Sequence, residues 1–198
     1  MRDAIRCDDV NITTVFTGFS RVARGSQAKF DSESFPCPRS AELHTVGAWL
    51  RVPDHIVASA KDQGVDVRAG IHAASHAILN VLPLRVPAGE NDVGCECFAA
   101  DLHTNAAVGR YKPHRVLIYD KHSGGVGIAS RAREHLPELI SLALTLVNDC
   151  ACVGRVDGCP LCVQRLTCDA HNARCDKSAA KFMLDALLGA FDDDARGR

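Results

Sequence analysis

Apolar residues along this chain follow two spacings, one suited to strands and one to helices. The first spacing dominates the N-terminal third. "VNITTVFTGFSRVARGSQAKF" (10–30) is rich in β-branched and aromatic residues around a turn-like "RGSQ", and predicts a hairpin over 10–20 and 27–33. "LHTVGAWLRVP" (43–53) predicts a strand stopped by Pro53, with Asp54 as the cap of a short helix over 55–62 that ends at Gly64. Helical spacing then takes over. Ile71, Ala74, Ile78, Leu79 and Leu82 form one apolar face of a helix over 67–82. "HRVLIYD" (114–120) reads as a buried strand, and a helix from 126 to 148, bent or split by Pro137, follows it. A last helix over 176–191 carries an apolar stripe of Ala179, Phe182, Met183, Leu187 and Phe191 or Leu188, with Asp176 and Ser178 as candidate caps. The polar "DSESFPCPRSAE" and residues 84–112 read as loops, and 189–198 as a solvated tail. These elements make a mixed α+β domain: a small β-sheet with packed helices.

A length of 198 residues suits a single domain (1–198, core about 10–188), and 46% hydrophobic residues with 24% charged ones is globular composition. The net charge of −1 gives no overall electrostatic pull towards nucleic acid, which argues against a free-standing, non-specific DNA binder. The charged start "MRDAIRCDDVNITT" is unlike a signal peptide, and no run of about 18 apolar residues is present to span a membrane. The expected setting is intracellular: the nucleus in a eukaryote, the cytoplasm otherwise. Thiols in such a compartment serve as metal ligands or redox groups more often than as permanent disulfides.

Several smaller features carry a bland and a sharp reading. Arg21, Arg24 and Lys29 near the hairpin tip are a solvated hairpin end, or else a phosphate contact. His72 and His76, four apart on a helix, present two imidazoles to one side. The Glu that a metalloprotease needs beside the first is Ala73, no third ligand is near in sequence, and packing histidines are favoured. Cys95 and Cys97 read as half-buried thiols on a β segment, since a metal there requires partners from far away. Cys37 between two prolines reads as inert. "KHSGGVG" lies between a strand and a helix, as a phosphate cradle would, but lacks both the Walker Lys-Ser/Thr and the G-x-G-x-x-G fingerprint. Positive φ and close helix–sheet approach explain its glycines more simply.

The densest chemistry is "NDCACVGRVDGCPLCVQRLTC" (148–168), which holds five of the ten cysteines. Four form two pairs, Cys150-x-Cys152 and Cys159-x-x-Cys162, with "VGRVDG" as the loop between them. Four thiolates about 2.3 Å from a zinc ion sit almost 4 Å apart, a spacing that a C-x-x-C turn provides, helped here by Gly158 and Pro160. The expected cofactor is Zn2+ in a closed knuckle of four cysteines. Cys168 is a spare that competes with Cys150 or Cys152, and His171 and Cys175 follow close behind. An iron–sulfur cluster and a redox-active Cys159–Cys162 pair are the rival uses of the same thiols.

These segments, in this order, resemble a known family. "HTVGAWLRVP", "GIHAASHAILNVLPL", "VLIYDKHSGGVGIASRA" and "CACVGRVDGCPLCVQRLTC" followed by "DKSAA" are similar to the MrfA-associated zinc-binding (MZB) domain, the C-terminal domain of a group of DEAD/DEAH-box DNA helicases. The resemblance covers about residues 10–188. It carries over Cys150, Cys152, Cys159 and Cys162 as the metal ligands. Ser75 replaces the Glu usual in the family's histidine helix, and the gap between the cysteine pairs is a few residues longer than usual. The resemblance implies a non-catalytic accessory module that sits beside the motor of a 3′–5′ helicase linked to DNA repair and helps enclose single-stranded DNA. Its partners would be helicase motor domains, on the same or a separate polypeptide, and no membrane. No Walker A or DEAH box occurs in this sequence, so no ATPase is expected of it. Two other classes compete: an independent metalloenzyme or nucleotide-binding enzyme using the GGVG loop with His72 and His76, and a thiol redox sensor.

Overall fold

The computed structural model describes residues 4–22, 29–97 and 114–196. Strand β1 (Ile5–Val22) pairs antiparallel with β2 (Lys29–Arg51), β2 with β4 (Arg115–Asp120), and β4 with β3 (Val93–Cys95). The sheet order is therefore β1-β2-β4-β3. Of the residues of β2, only Gly47–Leu50 at its inner end have a neighbour on both sides. There Ala48 and Leu50 enter the core with Val116 and Ile118 of β4, while most of the outer ribbon is exposed.

The N-terminal hairpin is thus longer than its sequence suggested. The expected strands at 27–33 and 43–53 are one strand, and the expected loop between them is part of it. Phe16 faces Arg39 but Gly18 faces Ser34, so residues 35–38, "FPCP", bulge opposite Thr17 alone. Proline cannot donate to a ladder, and a bulge on an edge ribbon accommodates two of them without breaking the strand. The segment 84–112 likewise contains β3, where Val93 and Cys95 are buried, as the β reading of Cys95 required.

Helices α1 (Asp54–Asp62), α2 (Val67–Val81), α3 (Ile128–Asp149) and α4 (Lys177–Arg196) pack on the sheet and on one another. α2 is the centre of the domain. Its N-terminus is capped by Asp66, whose side chain accepts from the N–H groups of Arg68 and Ala69. Every residue of α2 except Arg68 and Asn80 is buried, so the predicted one-sided face understates it. Gly70 lets α4 come close, since a Cβ there would lie 2.8 Å from Met183 Cγ and 2.9 Å from the Ala179 carbonyl oxygen. The apolar side of α4 is Ala179, Ala180, Met183, Leu184, Leu187 and Phe191, with Phe182 and Leu188 only half-buried.

The helices depart from expectation at the α1 cap, at Pro137 and at the end of α4, whereas an expected α4 cap is present. Pro53, not Asp54, occupies the cap position of α1, and Asp54 pairs with Arg51 at 3.0 Å. α3 runs through Pro137 as one helix; Arg133, whose carbonyl loses a partner there, is on the exposed side. Asp176 caps α4 by accepting from Ala179 N at 2.9 Å, while Ser178 lies inside the helix. α4 also continues to Arg196, so most of the expected tail is helical. Among the described residues no helix is long and apolar enough to cross a membrane.

Candidate metal centre

The loop between β4 and α3 is organised by a carboxylate of the chain itself. Asp120, fully buried at the end of β4, accepts at Oδ2 from the N–H groups of Val126 (2.6 Å), Gly127 (2.8 Å) and Ile128 (3.3 Å). Its Oδ1 accepts from Ala129 N at 2.7 Å. The N-terminal donors of α3, which in a phosphate cradle would face a ligand, are taken by this side chain. Gly125 makes the fold-back feasible: its φ is 76°, and a Cβ there would press on Val46 at 2.8 Å. The "GGVG" glycines therefore serve positive φ and close approach, as the simpler reading held.

At the far end of α3 the predicted knuckle is assembled. Cys150 Sγ lies 3.4 Å from Cys152 Sγ and 3.5 Å from Cys159 Sγ. Cys162 Sγ lies 3.6 Å from Cys152 Sγ and 3.7 Å from Cys159 Sγ. Four sulfurs held about 2.3 Å from a tetrahedral ion are separated by roughly 3.8 Å, so the donor set fits a zinc-sized ion with no position left open. Cys150 follows the last residue of α3, and Lys177 is the first residue of α4. The Lys177 ammonium donates to the Cys150 carbonyl (3.2 Å) and Cys152 Sγ (3.3 Å), so the knuckle joins the two helices. The Cys159 N–H points at Cys162 Sγ at 3.4 Å, one of the donors a tight C-x-x-C turn supplies.

Electrostatics divide the four thiols. Burial pushes the Cys162 thiol up to about 12 and raises Cys159 as well. At Cys152 burial pushes upward too, but hydrogen bonds from Cys150 and the Lys177 ammonium outweigh it and bring the thiol down to about 7. Cys152 is thus the readily deprotonated thiol, and a bound cation would offset the cost of ionising Cys159 and Cys162.

Cys168 is not part of this knuckle. It is buried elsewhere, with its Sγ 3.5 Å from His72 Nε2 and 3.8 Å from Cys97 Sγ. His72, His76, Cys97 and Cys168 converge, their ligand atoms all within 4.8 Å of one another. The histidines of α2, which had no third ligand in the neighbouring sequence, thus meet two thiols from distant segments. No spacing rule brings residues 72, 76, 97 and 168 together; only α2's two-histidine spacing and the surplus of cysteines signalled it. Cys175 is buried behind His76, 3.6 Å from its Nδ1. His171 is exposed in a turn with φ 51°. Cys37 is exposed, as its inert reading allows. At the hairpin, Arg21 pairs with Asp31 at 2.8 Å and stacks over Phe19. The side chains of Arg24 and Lys29 lie outside the described residues.

With this geometry in hand, comparison with known proteins places the chain. The family model for the MrfA Zn-binding domain matches residues 74–163, a segment that runs from α2 through the whole knuckle. The ATP-dependent helicase hrq1 of Schizosaccharomyces pombe is 35% identical over 153 residues, and HRQ1 of Saccharomyces cerevisiae 29% identical over 154. These matches cover 74% and 76% of this chain, which spans 14% of each helicase. The uncharacterized protein MJ1572.1 of Methanocaldococcus jannaschii is 31% identical over 121 residues, which is 60% of this chain and 99% of that protein. A crystal structure of the DUF1998 helicase MrfA bound to DNA shares the fold, with a TM-score of 0.52 and 18% identity over 93% of this chain and 23% of that one. The chain belongs to the MrfA Zn-binding domain family.

Proposed function

We propose that this chain is the zinc-binding accessory domain of a DEAD/DEAH-box DNA helicase of the 3′–5′ type, working beside motor domains on the same or another polypeptide. The observation that carries this reading is the four-thiol knuckle of Cys150, Cys152, Cys159 and Cys162, at tetrahedral spacing within the segment that the family model matches. Zinc bound there neutralises buried thiolates and fixes the angle between α3 and α4. Four protein ligands leave no place for an activated water, so the metal's role is structural. Single-stranded DNA would be met as part of the assembled helicase, and a role in DNA repair follows from the same reading. The rival nucleotide-binding use of the GGVG loop is disfavoured because Asp120 already holds the donors it would need.

The test is reconstitution. A helicase motor of this family stripped of its own zinc-binding domain should recover unwinding when the zinc-loaded chain is joined to it. The Cys159→Ser/Cys162→Ser variant should lose one zinc per chain and fail to restore unwinding. ATP hydrolysis by the chain alone, or full rescue by the zinc-depleted variant, would overturn the reading.

A further inference from the structure

We propose that His72, His76, Cys97 and Cys168 form a second structural metal site, a buried centre of two histidines and two cysteines for zinc, distinct from the four-cysteine knuckle. The two sites share no ligand.

Geometry is the first ground. Around a tetrahedral zinc with Zn–S of about 2.3 Å and Zn–N of about 2.0 Å, sulfurs are separated by roughly 3.8 Å and sulfur from nitrogen by roughly 3.5 Å. Cys97 and Cys168 Sγ are 3.8 Å apart, Cys168 Sγ is 3.5 Å from His72 Nε2, and Cys97 Sγ is 3.8 Å from His76 Nε2. Both imidazoles thus aim the same nitrogen, Nε2, at the thiols.

The second ground is the partner of the opposite nitrogen. His76 Nδ1 lies 2.8 Å from the Val163 carbonyl oxygen, an acceptor only, so this nitrogen carries the proton. The Nε2 lone pair is then free to bind a cation, the arrangement that supports metal-binding histidines through their far nitrogen. Cys168 has a comparable support: the Asn172 N–H points at its Sγ at 3.2 Å, as the Cys159 N–H does towards Cys162 in the knuckle. The turn that delivers this donor is clamped, with Asn172 Oδ1 accepting from Arg165 N at 2.8 Å and Asn172 Nδ2 donating to the Arg165 carbonyl at 2.9 Å.

Burial is the third. His72 and His76 are 0% exposed and Cys168 6%. An ion there would tie α2, the segment after β3 and the loop between the knuckle and α4 to one point. Cys175 approaches the Nδ1 edges of the same histidines, 3.6 Å from His76 and 3.9 Å from His72, so it stands outside the donor set.

Metal analysis of the full chain purified with zinc should give two equivalents, falling to one in Cys97→Ser/Cys168→Ser and also to one in Cys159→Ser/Cys162→Ser. Cys175→Ser should keep both. Where a variant does not fold, zinc X-ray absorption of the wild type decides. With both sites filled, four sulfurs at one and two sulfurs with two nitrogens at the other average to three sulfurs and one nitrogen per zinc. One zinc with four sulfurs, or two equivalents in Cys97→Ser/Cys168→Ser, would overturn the second site. One zinc with two sulfurs and two nitrogens would support it and sink the knuckle reading instead.

Discussion

Replacing Asp120 tests what holds the GGVG loop in place. In Asp120→Ala four backbone donors lose their acceptor. Two of them, Val126 N and Gly127 N, are partly buried where water can replace the carboxylate, whereas Ile128 N and Ala129 N are in buried hydrogen bonds. A buried donor left unsatisfied costs about 1–3 kcal/mol, so the two together predict a loss of about 4 kcal/mol. Asp120→Asn keeps one acceptor oxygen and should lose about half as much. For a chain of this size, about 4 kcal/mol lowers the melting temperature by roughly 8–16 °C. Urea unfolding of zinc-loaded protein should show a lower midpoint with an unchanged slope, because the surface exposed on unfolding is the same. The wild type should gain no stability from ATP or inorganic phosphate. A loss below about 1 kcal/mol in Asp120→Ala, or saturable stabilisation of the wild type by phosphate, would show that the donors are not committed to Asp120.

Two further outcomes follow from other parts of the molecule. Gly158 has φ of 68°, and a Cβ there would lie 2.3 Å from Val163 Cγ2 and 3.2 Å from Cys162 Sγ. Gly158→Ala should cost about 1–2 kcal/mol from backbone strain alone and weaken zinc at the knuckle, read by competition with a chromophoric chelator. The Arg85 guanidinium, with His135 nearby, holds the Glu138 carboxyl below its usual range. A depressed carboxyl contributes stability above its unfolded pKa and loses it as pH falls through the folded value. The difference in urea midpoint between wild type and Arg85→Ala should therefore be present at neutral pH and close in acid. A gap that persists in acid after the carboxyl is protonated would mean that Arg85 acts through packing.

What the sequence by itself determined is what depends on near neighbours. Helical spacing marked α2, α3 and α4, since the side chains that share a helix face are three or four residues apart. The convergence of the four thiols was legible for the same reason: they span Cys150–Cys162, and a short loop brings one pair to the other. The apolar run "VLIY" marked β4, which is buried.

Tertiary structure decided the rest, because the deciding contacts join residues far apart in the chain. Prolines 36 and 38 argue locally for a loop, yet they occupy a bulge in a strand whose register is set by β1. Asp120 holds backbone N–H groups up to nine residues ahead, across the loop from β4 to the start of α3, a geometry no periodicity records. His72 and His76 read as packing histidines in isolation. Only the fold, by laying β3 and the loop after the knuckle against α2, brings Cys97 and Cys168 to their Nε2 atoms. A helix fixes spacing along its own axis and says nothing of what is packed against it. That is why one cluster of candidate ligands could be read from the chain and the other had to be seen folded.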